Sequence, residues 1–137
     1  MMRGLKIAIF GILYAGVAFA TPARVTRVID GDTFDAVVML DDDIRVSVRV
    51  RMRDLYTPEI HGKCDYERNR AAVAREKLAE MIPAGSIVEL SNVKDDKYLG
   101  RIDAKVAIAG GADVSARMVR AGLGRRYNGG KRAGWCR

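Results

Sequence analysis

Residues 44–59 read IRVSVRVRMRDLYTPE. The first half alternates without a break. Ile44, Val46, Val48, Val50 and Met52 fall on one side, and Arg45, Ser47, Arg49, Arg51 and Arg53 on the other. Successive side chains of a strand face opposite ways, so Ile44–Arg53 is expected to be a strand with one buried face. The opposite face carries four guanidiniums and no carboxylate. Thr57-Pro58 breaks the strand, because proline has no N–H for a ladder and restricts the residue before it. Glu59 follows at once. A cationic strand, a sharp turn and a carboxylate together suit a negatively charged substrate. A solvated strand face followed by an ordinary turn accounts for the same residues.

Working outward, Arg24–Ile29 reads as a strand and Asp30-Gly31-Asp32 as a turn. Thr33–Leu40 alternates again through Phe34, Ala36, Val38 and Leu40, and Asp41-Asp42-Asp43 makes a polar hairpin into the long strand. Three consecutive strands with short connections form a meander. On the other side, Asp65 is placed to cap a helix over Tyr66–Ile82, whose Ala71, Ala74, Leu78 and Met81/Ile82 recur at helical spacing. The charges between them, Glu67 included, read as a solvated surface. Pro83-Ala84-Gly85 ends that helix. Two more strands follow, Ile87–Val93 and Ile102–Ile108, separated by the charged loop Lys94–Gly100. Asp113 caps a short helix, Val114–Ala121, closed by Gly122. Arg125–Arg137 reads as an irregular basic tail. The expected fold is α+β, mainly β: a five-stranded OB-type barrel with two helices.

The chain has 137 residues and a formal charge of +7. Its start is a basic Met1–Lys6, an apolar Ile7–Phe19 and an Ala18-Phe19-Ala20 cleavage pattern, which together read as a secretory signal peptide over residues 1–20. Residues 21–137 are then one exported domain, secreted or periplasmic, with no stable membrane association once the leader is removed. From Gly110 onward the charges are Arg117, Arg120, Arg125, Arg126, Lys131, Arg132 and Arg137 against Asp113 alone, a balance that favours polyanions. Export puts Cys64 and Cys136 in an oxidising compartment, where an even count favours a disulfide. His61 and Cys64 form an H-x-x-C pair, but zinc needs four ligands and two more are not evident.

Acidic clusters flank the cationic strand: Asp30 and Asp32 before it, Asp54 and Glu59 after it. Hard cations take several oxygen ligands, and arginines beside such a site bind the charge of a phosphodiester in its transition state. A plain hairpin turn explains D-G-D by itself.

Val28-Ile29-Asp30-Gly31-Asp32-Thr33, Val50-Arg51, Thr57-Pro58-Glu59, and Asp96-Lys97-Tyr98 with Gly100-Arg101 follow one another in an order that resembles the thermonuclease (staphylococcal-nuclease-like) family. Val114–Leu123 and the closing Gly134-Trp135-Cys136 resemble its secreted members. The resemblance implies an OB-type barrel and Ca²⁺-dependent hydrolysis of DNA and RNA, single strands preferred, by a monomer. It implies that Asp32 binds the metal directly, with Asp30 behind it and the Thr57 carbonyl as a further ligand. Glu59 would act on water, Arg51 and Arg101 would hold the phosphate, and Lys97, Tyr98 and Tyr127 would line the nucleotide site. Three positions depart from the pattern. Tyr56 stands where the family has a metal-ligand aspartate, Asp54 where it has glycine, and Leu99 lengthens the loop before Arg101. A phenol with pKa about 10 is a poor Ca²⁺ ligand at neutral pH. Two readings of another class follow from the same residues: an OB barrel that grips single-stranded nucleic acid without cutting it, and an exported basic protein that binds an anionic cell surface.

Overall fold

The computed structural model describes residues 20–136. Apart from Ala20, the leader expected over residues 1–20 lies outside them. Three strands come first: β1 (Thr21–Asp30), β2 (Thr33–Met39) and β3 (Arg45–Met52). A two-residue β4 (Leu55–Tyr56) leads to α1 (Asp65–Met81), then β5 (Ile87–Asp95), β6 (Arg101–Ala107), α2 (Val114–Arg120) and a two-residue β7 (Arg125–Arg126). Five strands close into a barrel in the order β1-β2-β3-β6-β5, the last returning to β1. All pairs are antiparallel except β3 with β6. A parallel pair needs a long crossover, and α1 with β5 supplies it. The architecture is the expected OB-type barrel with two helices.

Alternation explains the core. Phe34, Ala36 and Val38 of β2 face inward, opposite Val50, Val48 and Val46 in register. Val25, Val88, Leu90 and Val106 close the barrel, and Leu78 of α1 and Ile82 at its C-cap cover it. The buried face of β3 is shorter than its sequence pattern. Val50 and Met52 are fully buried, whereas Ile44 and Val46 are 50% and 40% exposed. The reason is pairing: β6 runs beside β3 only from Arg49 to Met52, so the first half of the strand overhangs the barrel with β2 alone beside it.

The start of α1 also differs from expectation. Cys64, in extended conformation, occupies the N-cap without a side-chain hydrogen bond, and Asp65 is already helical and pairs with Arg68. Cys64 is held there by its disulfide with Cys136. This bond spans a sequence separation of 72 and, in the chain-entropy model, stabilises by about 4 kcal/mol. It brings the C-terminal tail back to the strand pair β4–β7, where Leu55 faces Arg126 and Tyr56 faces Arg125. The tail is thus only partly irregular. At α2 the expectation holds: Asp113 Oδ2 accepts the N–H of Ala116 at 2.9 Å. Among the described residues no helix is long and apolar enough to cross a membrane.

Candidate functional site

The turn between β1 and β2 is built by its own aspartates. The Asp32 N–H donates to Asp30 Oδ1 at 3.1 Å, and the Thr33 hydroxyl donates to Asp32 Oδ1 at 2.9 Å. Gly31 lies so close to α1 and to Thr57 that a Cβ there would sit 2.8 Å from Ala74 Cβ and 3.0 Å from Thr57 Cβ. The turn therefore seats directly on α1 and on the segment after β4. Burial, then the neighbouring Asp32 carboxylate, pushes the carboxyl of Asp30 up to about 7.

Arg51 and Thr57 converge on Asp32. Arg51 Nη1 lies 3.4 Å from Asp32 Oδ2, and the Thr57 N–H donates to the same oxygen at 3.4 Å. Arg51 also donates to the carbonyls of Met52 and Leu55 at 2.9 and 3.0 Å, which fixes its guanidinium across the β3–β4 turn. Thr57 is buried, and its hydroxyl has no hydrogen-bond partner. In the β3–β4 turn Asp54 adopts φ 65°, the left-handed region in which glycine is at ease. Its carboxylate faces Lys105, 3.9 Å away.

Glu59 shares a cleft of about 560 Å³ with Asp30, Arg27, Arg49, His61 and Arg75. Its backbone N–H donates to Glu67 Oε2 at 3.1 Å. Glu67, read from sequence as solvated, is buried; its second oxygen accepts the N–H of Lys63 at 3.4 Å. A Cβ on Gly62 would lie 2.5 Å from the Glu67 side chain, so the loop closes tightly around this carboxylate. Glu67 stands three residues after the N-cap, the spacing at which a helix's first-turn carboxylate reaches back to loop N–H groups. Counted from Asp65, the cap expected from sequence, that spacing does not appear.

Arg101 and Tyr127 line a second cleft, of about 350 Å³, together with Arg51, Arg53, Lys94 and Arg132. Arg101 is paired with Asp96 at 2.9 Å and lies over the Tyr98 ring at 4.7 Å. Burial raises Asp96, but hydrogen bonds from Asp103 and Arg101 outweigh it and hold the carboxyl below its usual range. Tyr98 belongs to a third cleft, of about 620 Å³, with Leu99, Arg49 and Asp35. Lys97 is exposed, 5.3 Å from the Tyr98 ring. The fold thus gathers Asp30, Asp32, Arg51 and Thr57 closely and brings Arg51, Arg101 and Tyr127 to one cleft. Tyr98 and Tyr127 line different clefts, and Arg101 lines both. Arg49 forms a two-pronged pair with Asp35, at 2.7 and 3.1 Å, joined by Arg27 at 3.4 Å. Hydrogen bonds from Arg49 hold the Asp35 carboxyl below its ordinary value.

Tyr56 is the centre of an aromatic group. Its ring lies 5.5 Å from Trp135 and 6.3 Å from Tyr127. Burial, then the charges of Glu67 and Glu59, pushes its phenol above the ordinary value, so it is neutral at pH 7. Arg125 lies over Trp135 at 3.7 Å, and Arg132 over Tyr56 and Tyr127 at 5.2 and 4.9 Å. Cys64, Glu67 and Cys136 are close enough to suggest a metal cluster, but the two sulfurs are bonded to each other and offer no thiolate. The H-x-x-C pair is closed as a zinc site for the same reason.

The fold and its clefts define the class: a small OB-type barrel with clefts lined by arginines and carboxylates. No protein-family model matches the chain, and the comparison with curated proteins found no match.

Proposed function

We propose that this is an exported, metal-dependent phosphodiester hydrolase acting on DNA and RNA. The observation that carries the reading is the convergence of Arg51 and Thr57 on Asp32, with Arg101 lining the same cleft as Arg51. The donor chemistry fits a hard cation such as Ca²⁺. Asp30 and Asp32 crowd two carboxylates into one buried turn, at a cost that a cation relieves. The buried Thr57 hydroxyl beside them lacks a partner. Asp32 and Asp30 would hold the ion, with the Thr57 carbonyl. A bound cation of this kind polarises a phosphoryl oxygen. Arg51 offers its guanidinium to the phosphate from a fixed position. Glu59 orients the attacking water and takes its proton. Arg101 exchanges Asp96 for a phosphate oxygen when substrate arrives. The disulfide supports export, since such bonds persist in oxidising compartments.

One observation favours a binding module instead. Tyr127, packed at a tilt against the neutral Tyr56, lines the arginine-lined cleft, a setting in which bases pack on an aromatic side chain without being cut. Incubating the pure chain, residues 21–137, with single-stranded DNA separates the two. Cleavage should appear with Ca²⁺, vanish with chelator, and fall on the order of 10²-fold or more in Glu59→Gln, Arg51→Gln and Arg101→Gln. Glu59→Gln cutting at the wild-type rate would refute the assigned roles. Retention of DNA without cleavage by any form establishes the binding module.

A further inference from the structure

Arg132 stands in the tail and lines a cleft with Tyr127 of the same tail and with Arg51, Lys94 and Arg101, which are far from it in sequence. Its guanidinium lies over the Tyr56 and Tyr127 rings, 5.2 and 4.9 Å from their centroids, which are themselves 6.3 Å apart. Its Nη1 is 3.8 Å from Glu59 Oε1. It shares the 350 Å³ cleft with Arg51, Arg101 and Lys94. The two ring contacts restrict the guanidinium, and with 41% of the side chain exposed it can form two parallel hydrogen bonds to an anion. The pair with Glu59 is loose and open to solvent, with 41% and 60% of the two side chains exposed. Such a pair contributes little and yields readily to a better anion.

We infer that Arg132 is a phosphate-binding residue of this cleft, delivered by the disulfide-tethered tail, and that a phosphate displaces Glu59 from it. The inference rests on the proposed nucleic-acid reading for the identity of the anion, and deepens it. Arrival of a phosphate turns Arg132 from Glu59 to the new oxygens, because a phosphate offers more charge and several acceptors. Glu59 is thereby released when substrate is present. The tail places Arg132 through Trp135, packed at a tilt against Tyr56 and stacked with Arg125, and through the Cys64–Cys136 bond.

The test measures binding of a twenty-residue oligothymidylate in chelator across a salt series, on wild type, Arg132→Gln, Arg132→Lys and Arg120→Gln. Arg120 is an exposed charge on α2 and controls for net charge. Arg132→Gln should weaken binding about tenfold and reduce the salt slope by about 0.7. Arg120→Gln should do neither. Arg132→Lys should restore the slope but only part of the affinity, since an ammonium lacks the flat fork. In parallel, arginine side-chain ¹⁵N signals are followed while inorganic pyrophosphate is added. The Arg132 signal should move, and Glu59→Gln should tighten pyrophosphate binding in the wild-type background but not with Arg132→Gln. If pyrophosphate moves Arg132 while the oligonucleotide does not bind, the anion site stands and the nucleic-acid reading falls. Equal losses in Arg132→Gln and Arg120→Gln, or an Arg132 signal indifferent to pyrophosphate, overturn the proposal. Equal tightening by Glu59→Gln in both backgrounds overturns the displacement of Glu59.

Discussion

Tyr56 has two opposed consequences at one position. As a ligand it offers no charge, because burial and the nearby Glu67 and Glu59 keep its phenol neutral. As a packing residue it is 8% exposed and joins the tail to β4 through Trp135 and Tyr127. Tyr56→Asp should therefore split two measurements. Calcium affinity by titration calorimetry should rise, since a charged oxygen is added near Asp32 and Thr57. Melting temperature in chelator should fall, by the equivalent of about 3 kcal/mol for loss of a buried aromatic side chain. Unchanged calcium affinity in a folded variant defeats the idea that this tyrosine weakens the metal site. Asp54 adopts a left-handed backbone with its carboxylate 3.9 Å from Lys105, so Asp54→Ala should leave calcium affinity unchanged in the same titration.

At the level of elements, the site depends on how closely α1 seats on the β1–β2 turn. Gly31 is the contact point, with Ala74 behind it and Thr57 beside it. Gly31→Ala inserts a methyl where at most 2.8 Å is available to the Ala74 Cβ. Either α1 moves outward or the turn does, and both cost stability, about 1–3 kcal/mol by the usual penalty of overpacking. The variant should unfold at lower urea by that amount. It should also lose calcium affinity, because Asp30 and Asp32 are carried by the displaced turn and the added methyl would press on Thr57, 3.0 Å from its Cβ. A Gly31→Ala protein as stable as wild type would show that the turn is not seated on the helix. The D-G-D turn was legible from composition, but this contact was not. A glycine chosen for a tight turn and a glycine chosen for close approach of a helix are the same letter.

For the molecule as a whole, the Cys64–Cys136 bond links the first turn of α1 to the end of the tail. Reduction should lower the melting temperature by about 15 °C, taking roughly 4 kcal/mol of loop constraint and the usual unfolding entropy of a domain this size. It should also detach Trp135 from Tyr56, seen as a change in tryptophan fluorescence that precedes global unfolding. A melting temperature insensitive to reductant would mean that the tail is held by its stacking alone.

Strand alternation, the turn residues and the helical spacing of Ala71, Ala74 and Leu78 were enough to specify the barrel from the sequence. These patterns are local, and each depends only on which face of an element is apolar. They specified Asp113 as a cap and paired the two cysteines, since only two are present. They could not specify that Ile44 and Val46 overhang the barrel, because that depends on where β6 begins beside β3. Nor could they distinguish Glu67, buried beneath the loop that carries Glu59, from the solvated glutamates of the same helix. The placement of Arg132 against Glu59, Tyr56 and Tyr127 belongs wholly to the tertiary structure. It follows from a disulfide and a stacked tryptophan closing a long loop, and contacts across so large a separation leave no periodic trace in the residues between them.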